Sequence, residues 1–123
     1  MTNSSQPGKQ RKRHYEKQLH ELKRDFSIHL SKELRKETKK RNIEVRLGDT
    51  VKVMRGNEGY VSKHGKIVEI RRKKRQVLIE GIARKKSTGQ EVLVPFRPSN
   101  LLIVALDDKD ARRFRKKVKQ EKK

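Results

Sequence analysis

The chain of 123 residues contains no cysteine and no tryptophan, and aromatic residues make up only 4% of it. Without cysteine there is no disulfide, no thiolate nucleophile and no cysteine-type zinc site. No apolar run approaches the roughly 18 residues of a membrane-spanning helix. The opening stretch MTNSSQPGKQRKRHYEKQ also lacks the apolar segment of a signal peptide. These absences predict a soluble intracellular protein; the alternative is a secreted cationic peptide whose leader is not in this sequence.

Acidic residues are scarce relative to basic ones. The chain has 36 Lys plus Arg against 15 Asp plus Glu, for a net charge of +21, and the beginning, middle and end are each basic. A chain of one charge sign repels itself and is most compact beside a polyanion. Nucleic acid is therefore the leading predicted partner, followed by an anionic membrane surface and then by an acidic protein.

Hydrophobic residues make up 30% of the chain, too few for a core that spans all of it. Most of them lie between residues 45 and 104, where we predict the folded domain. Residues 1–14 are small, polar and basic without periodicity, which predicts a disordered basic arm. Residues 15–44 are predicted to form a helical extension, and residues 105–123 a basic C-terminal helix with a frayed tail.

A stripe of apolar residues at steps of three and four predicts a helix from Tyr15 to about Arg41. Ser27 or Ser31 could cap a second helix, so the pattern leaves open one helix or two. The stripe is expected to pack on the domain or on itself, and the basic face opposite could still lie on phosphates. The stripe consists of Leu19, Leu22, Phe26, Leu30 and Leu34.

After Val45 the hydrophobic period changes to two. Five short strands are predicted, at about 50–55, 66–71, 75–80, 91–95 and 101–104, separated by turn signals. This pattern predicts a mainly β fold, a small and strongly bent five-stranded barrel whose closure hides its strand edges. Asp107 or Asp108 can then cap the C-terminal helix, whose apolar stripe would be Ala111, Phe114 and Val118.

One stretch, GYVSKHGK at residues 59–66, could be mistaken for a phosphate-binding loop. That motif needs four residues between its glycines, a Ser or Thr after the lysine, and a helix that begins there. Here five residues separate Gly59 from Gly65, Ile67 follows Lys66, and predicted strands lie on both sides. The spacing excludes nucleotide hydrolysis at this loop.

Other catalytic or metal-binding patterns are equally lacking. No two histidines stand at the i, i+4 spacing of a helical metal site, and no paired carboxylates accompany them. The acidic residues of the central segment are dispersed, each within a few positions of a basic one, as solvated ion partners are. We therefore predict no enzyme, no metal and no cofactor. The histidines are His14, His20, His29 and His64.

Basic residues concentrate in the N-terminal arm and in the predicted turns. Loops of one scaffold that carry the same charge make a many-point contact with phosphates. The few aromatic residues argue against recognition by base stacking and favour folded RNA, bound through its shape and phosphate geometry. The candidate RNA-binding residues are Lys9, Arg11, Lys12, Arg13, His14, Lys32, Arg35, Lys36, Lys52, Arg55, Asn57, Tyr60, Lys63, His64, Lys66, Arg71, Arg72, Lys73, Lys74, Arg75, Arg84, Lys85, Lys86, Arg97, Ser99 and Asn100.

The stretch RLGDTVKVMRGNEGYVSKHGKIVEI, followed by QVLIEG, resembles the KOW motif, with its Gly-Asp opening, glycine loop and final Gly-Lys before a hydrophobic strand. Transcription elongation factors carry this motif too. Three further stretches, KQRKRHY, HLSKELRKE and GIARKKSTGQEVLVPFRPSNLLIV, are similar to the universal large-subunit ribosomal protein twenty-four family in its archaeal and eukaryotic form. The resemblance covers about residues 9–108.

This resemblance implies an SH3-like KOW barrel in a structural protein of the cytoplasmic ribosome. It implies binding to large-subunit rRNA through the loops at residues 55–66 and 97–100, early action in subunit assembly, and a position near the exit of the peptide tunnel. Neighbouring ribosomal proteins are then expected partners, and nascent chains or targeting factors are further candidates. The rivals are a KOW-type transcription factor, which should carry an additional polymerase-binding domain, and a general nucleic-acid-compacting protein.

Overall fold

The computed structural model describes residues 4–107 and residue 113. Its helical elements are α1 (Pro7–Glu16), a 3-10 helix (Glu21–Phe26), α2 (Lys32–Thr38) and a 3-10 turn (Pro98–Asn100). Its strands are β1 (Ser27–Leu30), β2 (Asn42–Glu44), β3 (Thr50–Val53), β4 (His64–Arg71), β5 (Gln76–Lys85), β6 (Glu91–Phe96) and β7 (Leu101–Ala105).

The seven strands form one sheet in the order β2-β1-β7-β3-β4-β5-β6. The mainly β prediction is confirmed, and the five predicted strands correspond to β3 through β7. The predicted closure is not seen: among the described residues, β2 and β6 are the two ends of an open sheet of seven strands rather than five. The two additional strands extend the sheet beyond β7, where β1 pairs with β7 in parallel and with β2 in antiparallel fashion.

The prediction of a helical extension from residue 15 is wrong for β1 and β2. Along β1, Ile28 and Leu30 are buried and His29 is exposed, so the side chains alternate with the period of a strand. Pairing of His29 and Leu30 with β7 fixes that conformation, and tertiary contact overrides local helical pattern. The second of the two proposed caps is confirmed, because the Ser31 side chain accepts a hydrogen bond from Leu34 N at the start of α2.

Residues 7–14, expected to be disordered, belong to helix α1. Pro7 begins the helix, where its missing N–H is not needed. No residue of α1 is buried, so the helix is held by polar contacts near its C-terminal end: His14 contacts the Arg75 guanidinium, and the following Lys17 pairs with Asp25 at 3.0 Å. The contact with Arg75, 61 positions from His14, joins the arm to the rest of the fold.

The apolar core takes side chains from both the N-terminal extension and the central segment. Phe26 from the 3-10 helix and Leu30 from β1 are as deeply buried as Val51, at the middle of the sheet. The core cluster consists of Phe26, Ile28, Leu30, Ile43, Val45, Val51, Val53, Ile67, Val77, Ile79, Ile82, Phe96, Leu101 and Ile103.

One charged side chain, Asp49, is fully buried at the start of β3. Its carboxylate accepts hydrogen bonds from Arg46 N at 2.9 Å and from Asp107 N at 3.0 Å. Arg113 binds both carboxylate oxygens, with Nη1 at 2.6 Å and Nη2 at 2.7 Å, and also donates to Glu44 O. Four donors from three parts of the chain therefore satisfy one buried charge. The rest of the predicted C-terminal helix lies outside the described residues.

The glycines of the central loop have two different roles. Gly56 has a φ of +133°, a conformation that other residues rarely adopt. Gly65 lies within β4 where β5 passes very close: a Cβ at this position would stand 2.5 Å from Glu80 O and 2.5 Å from Ile79 Cγ2. Glycine at residue 65 therefore permits the close approach of the two strands.

We expect Gly65→Ala to lower the free energy of unfolding by about 1–3 kcal/mol, because backbone as well as side chain must move to admit a methyl group. Gly59→Ala is the matched control, since its nearest neighbour would be Asn57 Oδ1 at an ordinary 3.5 Å; its change should stay within about 0.5 kcal/mol. Urea unfolding measures both, and equal effects would contradict the role assigned to Gly65.

Arg113→Gln should lower the free energy of unfolding by about 3–5 kcal/mol, because it leaves the buried Asp49 carboxylate without its counter-charge. The control is Lys85→Gln, which breaks an ion pair with Glu91 at 3.9 Å whose side chains are 77% and 64% exposed. An exposed pair of this kind contributes about 0–1 kcal/mol. A loss for Arg113→Gln in urea unfolding no larger than that of the control would show that the pair with Asp49 does not stabilise the fold.

Candidate nucleic-acid interface

Arg75 was expected to contact RNA, but its side chain is occupied within the protein. It lies in the 72–75 turn between β4 and β5 and is 16% exposed, with Nε 3.0 Å from an Asp25 carboxylate oxygen. The remaining guanidinium nitrogens contact His14 Nε2 and the His14 carbonyl oxygen. Arg75 therefore links the turn to α1 and to the 3-10 helix.

Two further arginines of the predicted set are partly engaged. Arg71 donates from Nε to Glu69 at 2.9 Å and from Nη2 at 3.2 Å. The hydrogen bond from Arg71, helped by its charge and opposed by partial desolvation, lowers the pKa of Glu69, and the same contact raises the pKa of Arg71. Both groups therefore stay ionised and paired at neutral pH. Arg35 donates from Nε to Leu30 O at 2.8 Å, which ties α2 to the end of β1.

The other basic residues of the turn point into solvent. Lys73 and Lys74 are exposed, and so is Arg97 at the end of β6. Within residues 4–107 and 113, none of these three has a carboxylate partner within ion-pair distance. Arg72 is only loosely held, with Nη2 3.9 Å from Glu44. Lys73, Lys74 and Arg97 are therefore available to an external anion.

The glycine loop between β3 and β4 is tightly folded. Asn57 Oδ1 accepts a hydrogen bond from Gly59 N at 3.0 Å, and the main-chain carbonyl of Asn57 accepts one from Tyr60 N at 2.9 Å. The Tyr60 ring packs edge-on against Phe96 with centroids 6.1 Å apart, and Lys63 Nζ lies 5.3 Å from the Tyr60 ring centre. Asn57 and Tyr60 thus shape the loop that presents Lys63.

The 97–100 turn is attached to this glycine loop. Asn100 O accepts hydrogen bonds from Met54 N at 2.8 Å and from Arg55 N at 3.3 Å. Arg55, Lys63, His64 and Ser99 are exposed around the joined loops. The two loops that the family resemblance implicated are therefore neighbours in space, and their relative position is fixed by main-chain bonds.

A groove of about 560 Å³ lies between α1 and the 72–75 turn. It brings together parts of the chain that are remote in sequence: the end of α1, the turn, and the end of β6. We call it the α1 groove. Its lining residues are His14, Tyr15, Lys17, Leu19, Leu22, Lys73, Lys74, Arg75, Gln76 and Arg97.

The remaining predicted residues lie on other elements. Arg84, Lys85 and Lys86 are exposed on the β5–β6 hairpin, Lys32 and Lys36 on α2, and Lys9, Arg11, Lys12 and Arg13 on α1. Lys52 on β3 lies opposite His64, and Lys66 on β4 opposite Thr50. The basic surface is consequently distributed around the molecule.

Sequence reasoning missed several residues that organise this surface. Tyr15 is 82% exposed and Leu19 54% exposed at the α1 groove, and Asp25 holds both Lys17 and Arg75. The sequence did carry a signal for Tyr15, since it directly follows the basic run KQRKRH. Nothing in the sequence distinguished Asp25 from the other dispersed acids.

Over residues 4–107 and 113, no group of three His, Asp or Glu side chains is arranged to hold a metal ion. In the same part of the chain, no helix is long and apolar enough to cross a bilayer.

The mainly β fold, with exposed basic side chains on its loops and on α1, fits the polyanionic partner that the net charge predicts. Comparison with known families agrees: a sequence profile that describes the ribosomal proteins called L26 in eukaryotes, together with their archaeal L24 counterparts, matches residues 4–120. The chain belongs to this ribosomal-protein family, which is structural and not enzymatic. The resemblance seen in the KOW stretch and its three companions is confirmed, as is the prediction that the chain is no enzyme.

Two archaeal relatives show the extent of the similarity. Large ribosomal subunit protein uL24 of Methanothrix thermoacetophila is 42% identical over 110 residues, which cover 89% of this chain and 93% of the relative. The protein of the same name from Sulfurisphaera tokodaii is 39% identical over 110 residues, covering 89% of this chain and 80% of the relative. The similarity thus extends well beyond the KOW motif.

The contrast between engaged and available cations can be tested without RNA. Arg75→Gln should lower the free energy of unfolding by about 1–3 kcal/mol through lost charged hydrogen bonds, and it should speed amide exchange in α1. Lys74→Gln, one position earlier and exposed, should change stability by no more than about 0.5 kcal/mol. Urea unfolding and hydrogen exchange provide the two measurements. Unchanged exchange in α1 would contradict the anchoring role of Arg75.

Proposed function

We propose that this chain is a constituent of the large subunit of the cytoplasmic ribosome and binds large-subunit rRNA through its loops and N-terminal helix. Support comes from family membership and from the names of the two relatives. The observation on this chain that carries the proposal is the set of cations that Lys73, Lys74 and Arg97 present on fixed backbone, without acidic partners among the described residues. Such a set matches a phosphate backbone better than a protein surface of mixed charge.

The mechanism is neutralisation combined with positioning. The joined glycine loop and 97–100 turn hold Arg55 and Lys63, while Arg75 holds α1 against the 72–75 turn. Cations at fixed separations can bridge RNA segments whose phosphates would otherwise repel each other. A protein of this kind would act early in subunit assembly, when RNA segments first approach one another.

The family resemblance also implies a particular strand arrangement and a position in the ribosome, and both belong to the proposal. Strands β7-β3-β4-β5-β6 are consecutive antiparallel neighbours, and register shifts at Ile67/Glu69 and Leu78/Ala83 bend the sheet. This arrangement supports an SH3-like order of five strands in an open sheet, with β1 and β2 added beside β7. A position near the exit of the peptide tunnel, with neighbouring ribosomal proteins and with nascent chains or targeting factors as partners, is also proposed.

Salt dependence tests the binding mode. The logarithm of the affinity for purified large-subunit rRNA should fall linearly with the logarithm of salt concentration, by about 0.7–0.9 per phosphate contact. Lys63→Ala combined with Lys66→Ala should reduce that slope by up to two contacts and leave the thermal midpoint nearly unchanged, because both side chains are exposed. Filter binding across a salt series measures the slope.

Salt-independent association would contradict the proposal, and a large fall in the thermal midpoint of the double variant would make these lysines structural. Competition separates the rival functions. A compacting protein would bind duplex DNA as tightly as rRNA, and a transcription factor would co-sediment with polymerase. The proposal requires the native protein to co-sediment with large ribosomal subunits.

A further inference from the structure

Tyr15 is unusual among the aromatic residues that the structure describes. Phe26 and Phe96 are buried in the core, and Tyr60 is half-buried against Phe96. Tyr15 alone of these is open to solvent, with 82% of its surface exposed. An aromatic side chain this exposed, in a chain with 4% aromatic residues, offers its ring to a binding partner.

The Tyr15 side chain lies between two anchored neighbours. Its ring meets the His14 ring edge-on, with centroids 5.6 Å apart and planes at 84°. His14 is held by the Arg75 guanidinium, and Lys17 is held by Asp25. Because these contacts restrain the chain before and after Tyr15, less conformational entropy is lost when a ligand stacks on the ring.

The surroundings of the ring match the parts of a nucleotide. Leu19, 54% exposed, extends the apolar surface beside Tyr15. Lys73, Lys74 and Arg97 line the same groove and supply cations for phosphate oxygens, while the half-buried Gln76 supplies an amide that can both donate to and accept from a base edge. A volume of about 560 Å³ admits one nucleotide with its flanking phosphates.

We propose that the α1 groove binds a single unpaired nucleotide of RNA, with its base stacked on Tyr15 and its phosphates on Lys73, Lys74 and Arg97. The inference rests on the proposed function, RNA binding, and adds a particular subsite and class of ligand to it. A base within a duplex has both faces covered, so the ligand is a bulged, looped or terminal nucleotide. The low aromatic content predicted no stacking, and one well-placed ring is enough to reverse that expectation.

An acidic peptide fits the groove less well. Extended peptides are commonly held by main-chain pairing at a free strand edge. The strands joined by the turn at the groove, β4 and β5, are each paired on both sides within the sheet. β6 is an edge strand, but of its neighbourhood only Arg97, which follows its last residue, lines the groove. Cations alone would attract acidic side chains, but they would leave the Tyr15 ring and the Gln76 amide unused.

Base-specific chemical probing of purified large-subunit rRNA, with the full chain bound, tests the inference. The wild-type protein should protect at least one unpaired base that Tyr15→Leu leaves reactive. Tyr15→Phe, which keeps the ring, should protect the same base. Backbone footprints should be common to all three proteins, because the lysines and arginines are unchanged. In filter binding, Tyr15→Leu should lose about 5- to 150-fold in affinity, the value of one base stacked on an aromatic ring.

The matched control is Lys74→Ala, which should weaken binding and reduce the salt slope by about one contact without exposing that particular base. Because Tyr15 is exposed and Lys74 is in a turn, neither variant should alter the thermal midpoint. Tyr15→Trp adds an independent signal, because the chain itself contains no tryptophan. An RNA base stacked on the new indole should quench the tryptophan fluorescence.

The outcomes separate the inference from the proposed function. Identical base protection by the wild type and Tyr15→Leu, with backbone footprints present, would overturn the nucleotide subsite and leave RNA binding intact. No footprint by either protein would overturn both. If poly-glutamate peptide quenched the Tyr15→Trp variant as strongly as rRNA does, the groove would be a site for acidic protein instead.

Discussion

The architecture depends on the burial of one carboxylate, that of Asp49. A charged group with no exposed surface is tolerated only where paired and fully hydrogen-bonded. Its donors come from the loop before β3, from the residue that follows β7 by two positions, and from Arg113. Because β3 lies between β7 and β4, Asp49 joins Asp107 and Arg113 to the centre of the sheet. In a chain with few acids, this one connects three segments.

Some basic side chains form ion pairs with the other acidic residues, and the rest remain exposed to solvent. Asp25 takes Lys17 and Arg75, so α1 and the 72–75 turn are held together. Glu44 lies near Lys23 at 3.3 Å and takes part in holding that end of the sheet. Around the α1 groove, Lys73, Lys74 and Arg97 remain exposed and give this region an excess of positive charge. The positions of the carboxylates therefore determine the exposed basic surface as much as the positions of the cations do.

The strands β3 to β6 could be predicted because each pairs with a neighbour in sequence, and β7, which pairs with β1 and β3, could be predicted from its own short apolar run between turn signals. β1 could not, because Leu30 belongs to a stripe with helical spacing, and the strand is fixed by β7, more than seventy residues away. Whether the sheet closes is likewise a matter of long-range geometry that short patterns do not encode. The family could be found because the KOW stretch and its companions depend on residue identity and not on pairing.

The candidate interface was predictable in composition but not in arrangement. Sequence shows that residues 71–75 are basic, yet Arg75 faces inward because His14, 61 positions earlier, lies beside it. The low number of aromatic residues argued against base stacking. The fold shows that Phe26 and Phe96 are buried in the core whereas Tyr15 is exposed. Composition therefore predicts the class of partner, a polyanion. The form of that polyanion, paired or unpaired at the point of contact, depends on which single side chains the tertiary structure leaves exposed beside the cations.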